Sequence, residues 1–136
     1  MVYAVLFFGA FVVAGCATAA DRFVNNNDGT VTDTQTGLTW ADQDNGGNIN
    51  WYGATSYCGG GGWRMPTIDE LRNLHSSGAY GPLIKKTGSW VWSSEHDNTT
   101  GAASKAASLR FTDGSKQMHS KYDADGDRAL RVRSAK

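Results

Sequence analysis

The sequence predicts an α+β domain of short strands, tight turns and two short helices, and three observations predict it. Glycine is abundant and proline rare, at 17 and 2 residues, while 5 Trp, 5 Tyr and 5 Phe supply large apolar side chains. That composition suits aromatic strands joined by glycine turns. Thr67-Ile68-Asp69-Glu70 has the form of a capping box, with Ile68, Leu71 and Leu74 at helical spacing. Ala107, Leu109 and Phe111 alternate with Ser108 and Arg110, the period of two that marks a half-buried strand.

The chain begins with an apolar run from Val2 to Val13, shorter than the ~20 residues a spanning helix needs. It ends in Val13-Ala14-Gly15-Cys16, which resembles a bacterial lipoprotein signal. The resemblance implies a leader over 1–15, cleavage before Cys16 and lipid on that cysteine. Ala17 after the cysteine resembles sorting to the outer membrane. Two or three acyl chains make such an anchor stable. Secretory cleavage after Ala17-Thr18-Ala19 and retention of the run as a helix are the alternatives. No Lys or Arg precedes the run. Residues 16–22 are then a short tether, and 23–136 are one domain of ordinary size.

Within the domain, Phe23-Val24 is a strand that leads into Asn25–Asp28, and Asp28-Gly29 is a hairpin turn, because Asn and Asp tolerate left-handed backbone and Gly adopts it freely. Val31-Thr32-Asp33 returns, Thr36-Gly37 turns again, and Leu38–Ala41 is the next strand. Residues 42–50 form a polar loop. Asn50 caps a helix running through Cys58, with Trp51, Ala54, Tyr57 and Cys58 on one stripe. Glycines 59–62 end it and read as a flexible connection. Trp63–Pro66 is extended, as a residue before Pro favours. The capped helix follows from Thr67 and stops at Gly78. Trp90–Ser94 and 107–111 are strands, Asp113-Gly114 turns the latter into 116–119, Asp123–Asp127 is a polar turn, and 129–133 is a closing strand.

In order, Asn26–Asp33, Thr36–Trp40, Gly62–Thr67 with Glu70-Leu71, Trp92–Ser94, Phe111–Gly114 and Leu130–Arg133 resemble the C-terminal domain of Legionella collagen-like proteins. The resemblance implies a C-type-lectin-like fold, with two short helices beside small twisted antiparallel sheets. It also implies export and, in one branch, adhesion to sulfated polysaccharide. It carries no catalytic residues, and no enzyme is expected. Relatives often pair a cysteine in the last strand with the one ending the first helix. Here Cys58 stands, but residues 129–133 read ALRVR. If Cys16 carries lipid, Cys58 has no partner within the chain. It is then a buried apolar residue or an exported thiol open to pairing between chains.

Net charge is zero, which leaves no nucleic-acid footprint. The distribution is uneven: 105–136 carries eight Lys and Arg against four Asp, and 16–104 five against nine acids. One reading is two solvated faces; the other is a basic strand surface that attracts anionic polymers. On the second, Arg110, Lys116, His119 and Lys121 contact sulfate or carboxylate beside an aromatic, Trp90, if it is exposed; the alternative is that Trp90 is buried with Trp92, whose face of the strand it shares. Trp40, Trp63 and Trp92 are expected in the core.

Asp123, Asp125 and Asp127 alternate as a calcium loop does. The EF-hand register fails, because the twelfth position from Asp123 is Ser134 rather than Glu. A solvated turn is the expectation, with calcium the weaker alternative and no other cofactor. His75, His96 and His119 lack zinc spacing, and no Gly-x-Ser-x-Gly or phosphate loop occurs. The function expected is a cell-envelope module that binds an extracellular glycan or protein. The alternative is a structural envelope protein that assembles with copies of itself or a larger structure.

Overall fold

The computed structural model of the protein describes residues 22–78 and 80–134. The expected leader, Cys16 and the tether up to Asp21 lie outside the described residues. The rest is α+β, with helices beside two four-stranded sheets. The first sheet joins β1 (Phe23–Asn25), β2 (Thr30–Asp33), β3 (Leu38–Ala41) and β8 (Val132–Ser134), all antiparallel. The second has the order β6 (Lys116–Ser120), β5 (Lys105–Arg110), β4 (Trp90–His96), β7 (Asp127–Arg128). Its β4–β7 pair is parallel. Between β3 and β4 come α1 (Trp51–Cys58), α2 (Ile68–Ser77) and the single turn α3 (Tyr80–Leu83).

Local chemistry sets the elements. The β1–β2 turn places Asn27 at φ 60° and Gly29 at φ 90°. The Asp28 carboxylate closes it by accepting from the Thr30 amide at 3.1 Å. Asn50 caps α1 by accepting from the Gly53 amide at 2.8 Å. Thr67 and Glu70 form the complete capping box of α2, and Gly78 ends that helix in left-handed conformation. Ile68, Leu71 and Leu74 are its buried row.

Each face of β5 meets a different core. Ala107 and Leu109 join Val31, Trp40, Leu71, Leu74, Val91 and Leu130 in the larger cluster. Ala106 joins Ala54, Cys58, Met65, Trp92 and Ala129 in the smaller one. The strand is therefore buried on both faces, and Ser108 is dry as well, its hydroxyl donating to Asp127 Oδ1 at 2.8 Å. The alternation predicted one wet face; the small cluster covers it.

Three further expectations are corrected. Only Ala54 and Cys58 of α1 are fully buried, and Tyr57 is 39% exposed, because one i, i+4 row is all this short helix presses inward. Trp40 and Trp92 lie in the core, but Trp63 is only half-buried at its edge. Of the expected closing strand 129–133 only Val132 and Arg133 are strand, in β8 paired with β3; Ala129 and Leu130 cross between the sheets fully buried, and a separate short strand before them, β7, pairs with β4.

Cys58 is buried and unpaired, and burial pushes its thiol up to about 12, with Arg131 opposing in part. A thiolate-directed reagent is expected to leave Cys58 unlabelled in native buffer and to label it rapidly in denaturant; fast native labelling in a thiol assay contradicts the burial. Asp33 is buried with Arg22 against it at 2.6 Å. Burial pushes its carboxyl up, yet hydrogen bonds from Arg22, Thr36 and the Gln35 amide outweigh that and hold it below the usual range. Its contribution is present above the ordinary carboxylate range and is lost as pH falls through the lowered native value. Asp33→Ala is expected to cost about 3 kcal/mol at neutral pH. In urea titrations the gap from the parent should shrink as the medium is acidified.

Candidate functional site

The structure brings together three of the five residues the sequence nominated. Trp90 and Arg110 face each other across the β4–β5 pair, with the guanidinium 5.3 Å from the indole centroid. His119 meets Trp90 edge-on at 4.7 Å. The cationic character expected of this group is already engaged. Arg110 forks onto Asp113, holding that carboxyl well below the usual range with help from Ser115. Lys116 reaches Glu95 at 2.8 Å. His119 lies 3.3 Å from both oxygens of the buried Asp127. Lys121 is not on the surface: it is 5% exposed, with its ammonium 3.0 Å from His96 Nδ1, 3.2 Å from the Asp97 carbonyl and 4.8 Å from the Trp51 ring.

The acidic turn does not gather its carboxylates. Asp123 accepts from the Asp125 amide at 2.9 Å, whereas Asp127 turns into the protein. Burial pushes the Asp127 carboxyl up, and Ser108 and His119 offset only part of that. Among the described residues no three His, Cys, Asp or Glu side chains are placed to share a metal ion.

A different arrangement stands where the chain ends. Gly60, Gly61 and Gly62 take φ of 95°, 65° and 86°, three left-handed residues in succession that only glycine adopts without strain. The Trp63 amide closes this loop on the Gly60 carbonyl at 3.1 Å. The loop read as a flexible connection is thus a shaped support for Trp63. Arg64 and Val132 then exchange both backbone hydrogen bonds, at 2.8 and 3.0 Å, docking the Trp63 segment onto β8.

Val132 is buried, so its neighbours Arg131 and Arg133 project the other way. Their guanidiniums lie 4.7 and 4.4 Å from the Trp63 centroid, and Arg131 also lies 5.8 Å from the Tyr57 ring. These side chains, with Asp28, Thr30 and Asp42, line a cleft of about 370 Å³. Among the described residues every other arginine has a side-chain hydrogen bond or ion pair. Arg131 and Arg133 have none, and Arg131 Nε is buried without a partner. The cleft thus combines two guanidiniums without an ion pair, lying on an indole, with two carboxylates, one of which, Asp28, already accepts from the Thr30 hydroxyl. Guanidinium forks of this kind are chemically suited to carboxylate or sulfate oxygens.

Sequence reasoning missed this cleft, although its signals were the Arg-x-Arg of the last strand and the glycine run before a tryptophan. Gly61→Ala meets only Trp63 Cδ1, at 3.9 Å, so its cost is the left-handed backbone rather than a clash. It is expected to destabilise the domain by about 1 kcal/mol in denaturant titration.

No curated protein matches the chain. The family model described as the Lcl C-terminal domain matches residues 29–133, which takes in every residue named in the cleft lining except Asp28. The chain therefore belongs to the Lcl C-terminal domain family.

Proposed function

We propose that this domain is an exported, lipid-anchored binding module that takes an anionic extracellular polysaccharide, a sulfated one above all, in the Trp63–Arg131–Arg133 cleft. The observation that carries the reading is the pair of unpartnered guanidiniums lying on one indole. Arginine forks match the geometry of sulfate or carboxylate oxygens and give up their hydration more readily than lysine. Trp63 and Tyr57 offer apolar faces to a sugar ring, and Asp28 and Asp42 accept from its hydroxyls. The lectin-like fold and surface location that the family resemblance implies agree with such a role. Anchoring through Cys16 belongs to the same proposal and is read out by mass spectrometry of the native protein.

The test is retention of the purified 20–136 fragment on immobilised heparin across a salt gradient. Binding is expected at low salt and release as salt rises, because exposed charges are screened within ~8 Å at 0.15 M. Arg133→Gln is expected to weaken binding about tenfold, in line with ~1.5 kcal/mol for a hydrogen bond to a charged group. Arg110→Gln, whose guanidinium already serves Asp113, is expected to change it little. Salt-insensitive assembly into particles without heparin retention supports a structural envelope protein instead.

A further inference from the structure

Trp63 also lines a second and larger groove, of about 510 Å³, with Trp51, Thr55, Arg64, Met65 and Ser94. One indole is thus common to two openings of opposite character. The cleft already described is lined by charged groups, Arg131 and Arg133 with Asp28 and Asp42. The second groove has no carboxylate in its lining, and its single cation is cancelled: Arg64 donates to both oxygens of Glu70, at 2.7 Å each. Nothing in it calls for a charged occupant.

Its polar edges are mostly engaged within the protein. Trp51 Nε1 donates to the Ser93 carbonyl at 2.9 Å, and Lys121 and His96 pack against its ring at 4.8 and 4.7 Å, so what this indole offers the groove is the part of the ring they leave uncovered. The Thr55 hydroxyl donates to the Trp51 carbonyl at 2.9 Å. The Ser94 hydroxyl stands at the mouth with no side-chain partner among the described residues. Two indoles and a thioether with sparse hydroxyls suit the alternation of a pyranose, whose C–H face is apolar and whose rim is polar. The volume falls within the ~300–1,000 Å³ usual for small-ligand sites.

We propose that the Trp51–Met65–Ser94 groove is a second subsite, which takes an uncharged pyranose residue of the same polysaccharide whose anionic residue occupies the arginine cleft. The inference rests on the polysaccharide reading above and adds to it: the ligand crosses Trp63 and alternates in charge. Linking the subsites through one chain makes the second contact intramolecular, so modest stacking in the groove multiplies affinity.

The experiment compares two probes of equal sulfate number on the 20–136 fragment by calorimetry. One is a keratan sulfate octasaccharide, in which sulfated hexosamine alternates with galactose that carries no charge. The other is polyvinyl sulfate, which has no sugar rings. The parent is expected to bind the octasaccharide at least tenfold more tightly. Ser94→Trp, which fills the groove, should remove that preference and leave polyvinyl sulfate binding unchanged, whereas Arg133→Gln should weaken both. Thr55→Trp, on the exposed face of α1, fills the same groove independently and covers the case in which Ser94→Trp does not fold. Equal affinity of the parent for both probes, or a preference that survives a folded groove-filling variant, overturns the second subsite and leaves the arginine cleft standing. Failure of the parent to bind either probe overturns both.

Discussion

One stretch of backbone, residues 127–134, ties this protein together. At its start Asp127 and Arg128 run parallel to β4; at its end Val132 to Ser134 run antiparallel to β3. Between them Ala129 and Leu130 pass through the interior, fully buried. The stretch thus crosses from one sheet to the other, and each core cluster has a member in it: Ala129 in the smaller, Leu130 and Val132 in the larger. The family resemblance implies a disulfide between this strand and the end of the first helix in related domains. Here Cys58 and Ala129 share a buried cluster, and packing does the work of the missing bridge. A native disulfide in a small secreted domain is worth ~2–5 kcal/mol. Burying two or three aliphatic side chains at ~1.5–3 kcal/mol each is of the same order.

The candidate site follows from that crossing. A strand alternates its side chains, so burying Leu130 and Val132 obliges Arg131 and Arg133 to face outward. The same Val132 exchanges two hydrogen bonds with Arg64, which fixes the neighbouring Trp63 beside them. The indole is carried from the other side by three left-handed glycines. Binding geometry and structural integrity therefore share residues. Weakening the pairing of β8 displaces both guanidiniums from the ring at once, whereas changing a guanidinium alone leaves the crossing intact.

Local signals in the sequence were legible and nonlocal ones were not. The capping box at Thr67, the Asn50 cap, the Asp28-Gly29 turn and the Gly78 stop each depend on residues within a few positions, and each formed as read. Burial of Cys58 was also readable, from its place on the inward row of α1. Tyr57, on the same helix, was misplaced because its exposure depends on what the final strand brings against it. Lys121 was misplaced for a similar reason. Its partners His96 and Asp97 lie 25 and 24 positions away, at the end of β4 and just beyond it, and reach it only through tertiary pairing. Trp63 sat in a family-like motif and was assigned to the core; its ring is instead held at the edge by two arginines some 70 positions on.

Charge counting singled out Arg110, Lys116 and His119, which the structure pairs with carboxylates of the protein itself, and the reason is physical. A surplus of Lys and Arg says nothing about which of them remain unpaired. Arg110 is three residues from Asp113, a spacing that lets the chain cancel the charge locally. Lys116 on β6 is cancelled by Glu95 on β4, and His119 faces Asp127. Once these pairs form, several cations remain without an ion pair among the described residues; Arg128 and Lys121 still serve polar groups of the protein, whereas the Arg131 and Arg133 guanidiniums lie together on the Trp63 ring. An ion pair already satisfied inside the protein must be broken before it can serve a ligand, and that cost subtracts from binding. An unpaired guanidinium resting on an indole has no such debt, and it is partly desolvated before the ligand arrives. Preorganisation, not the number of basic residues, is what makes this end of the protein the place to look for an anion.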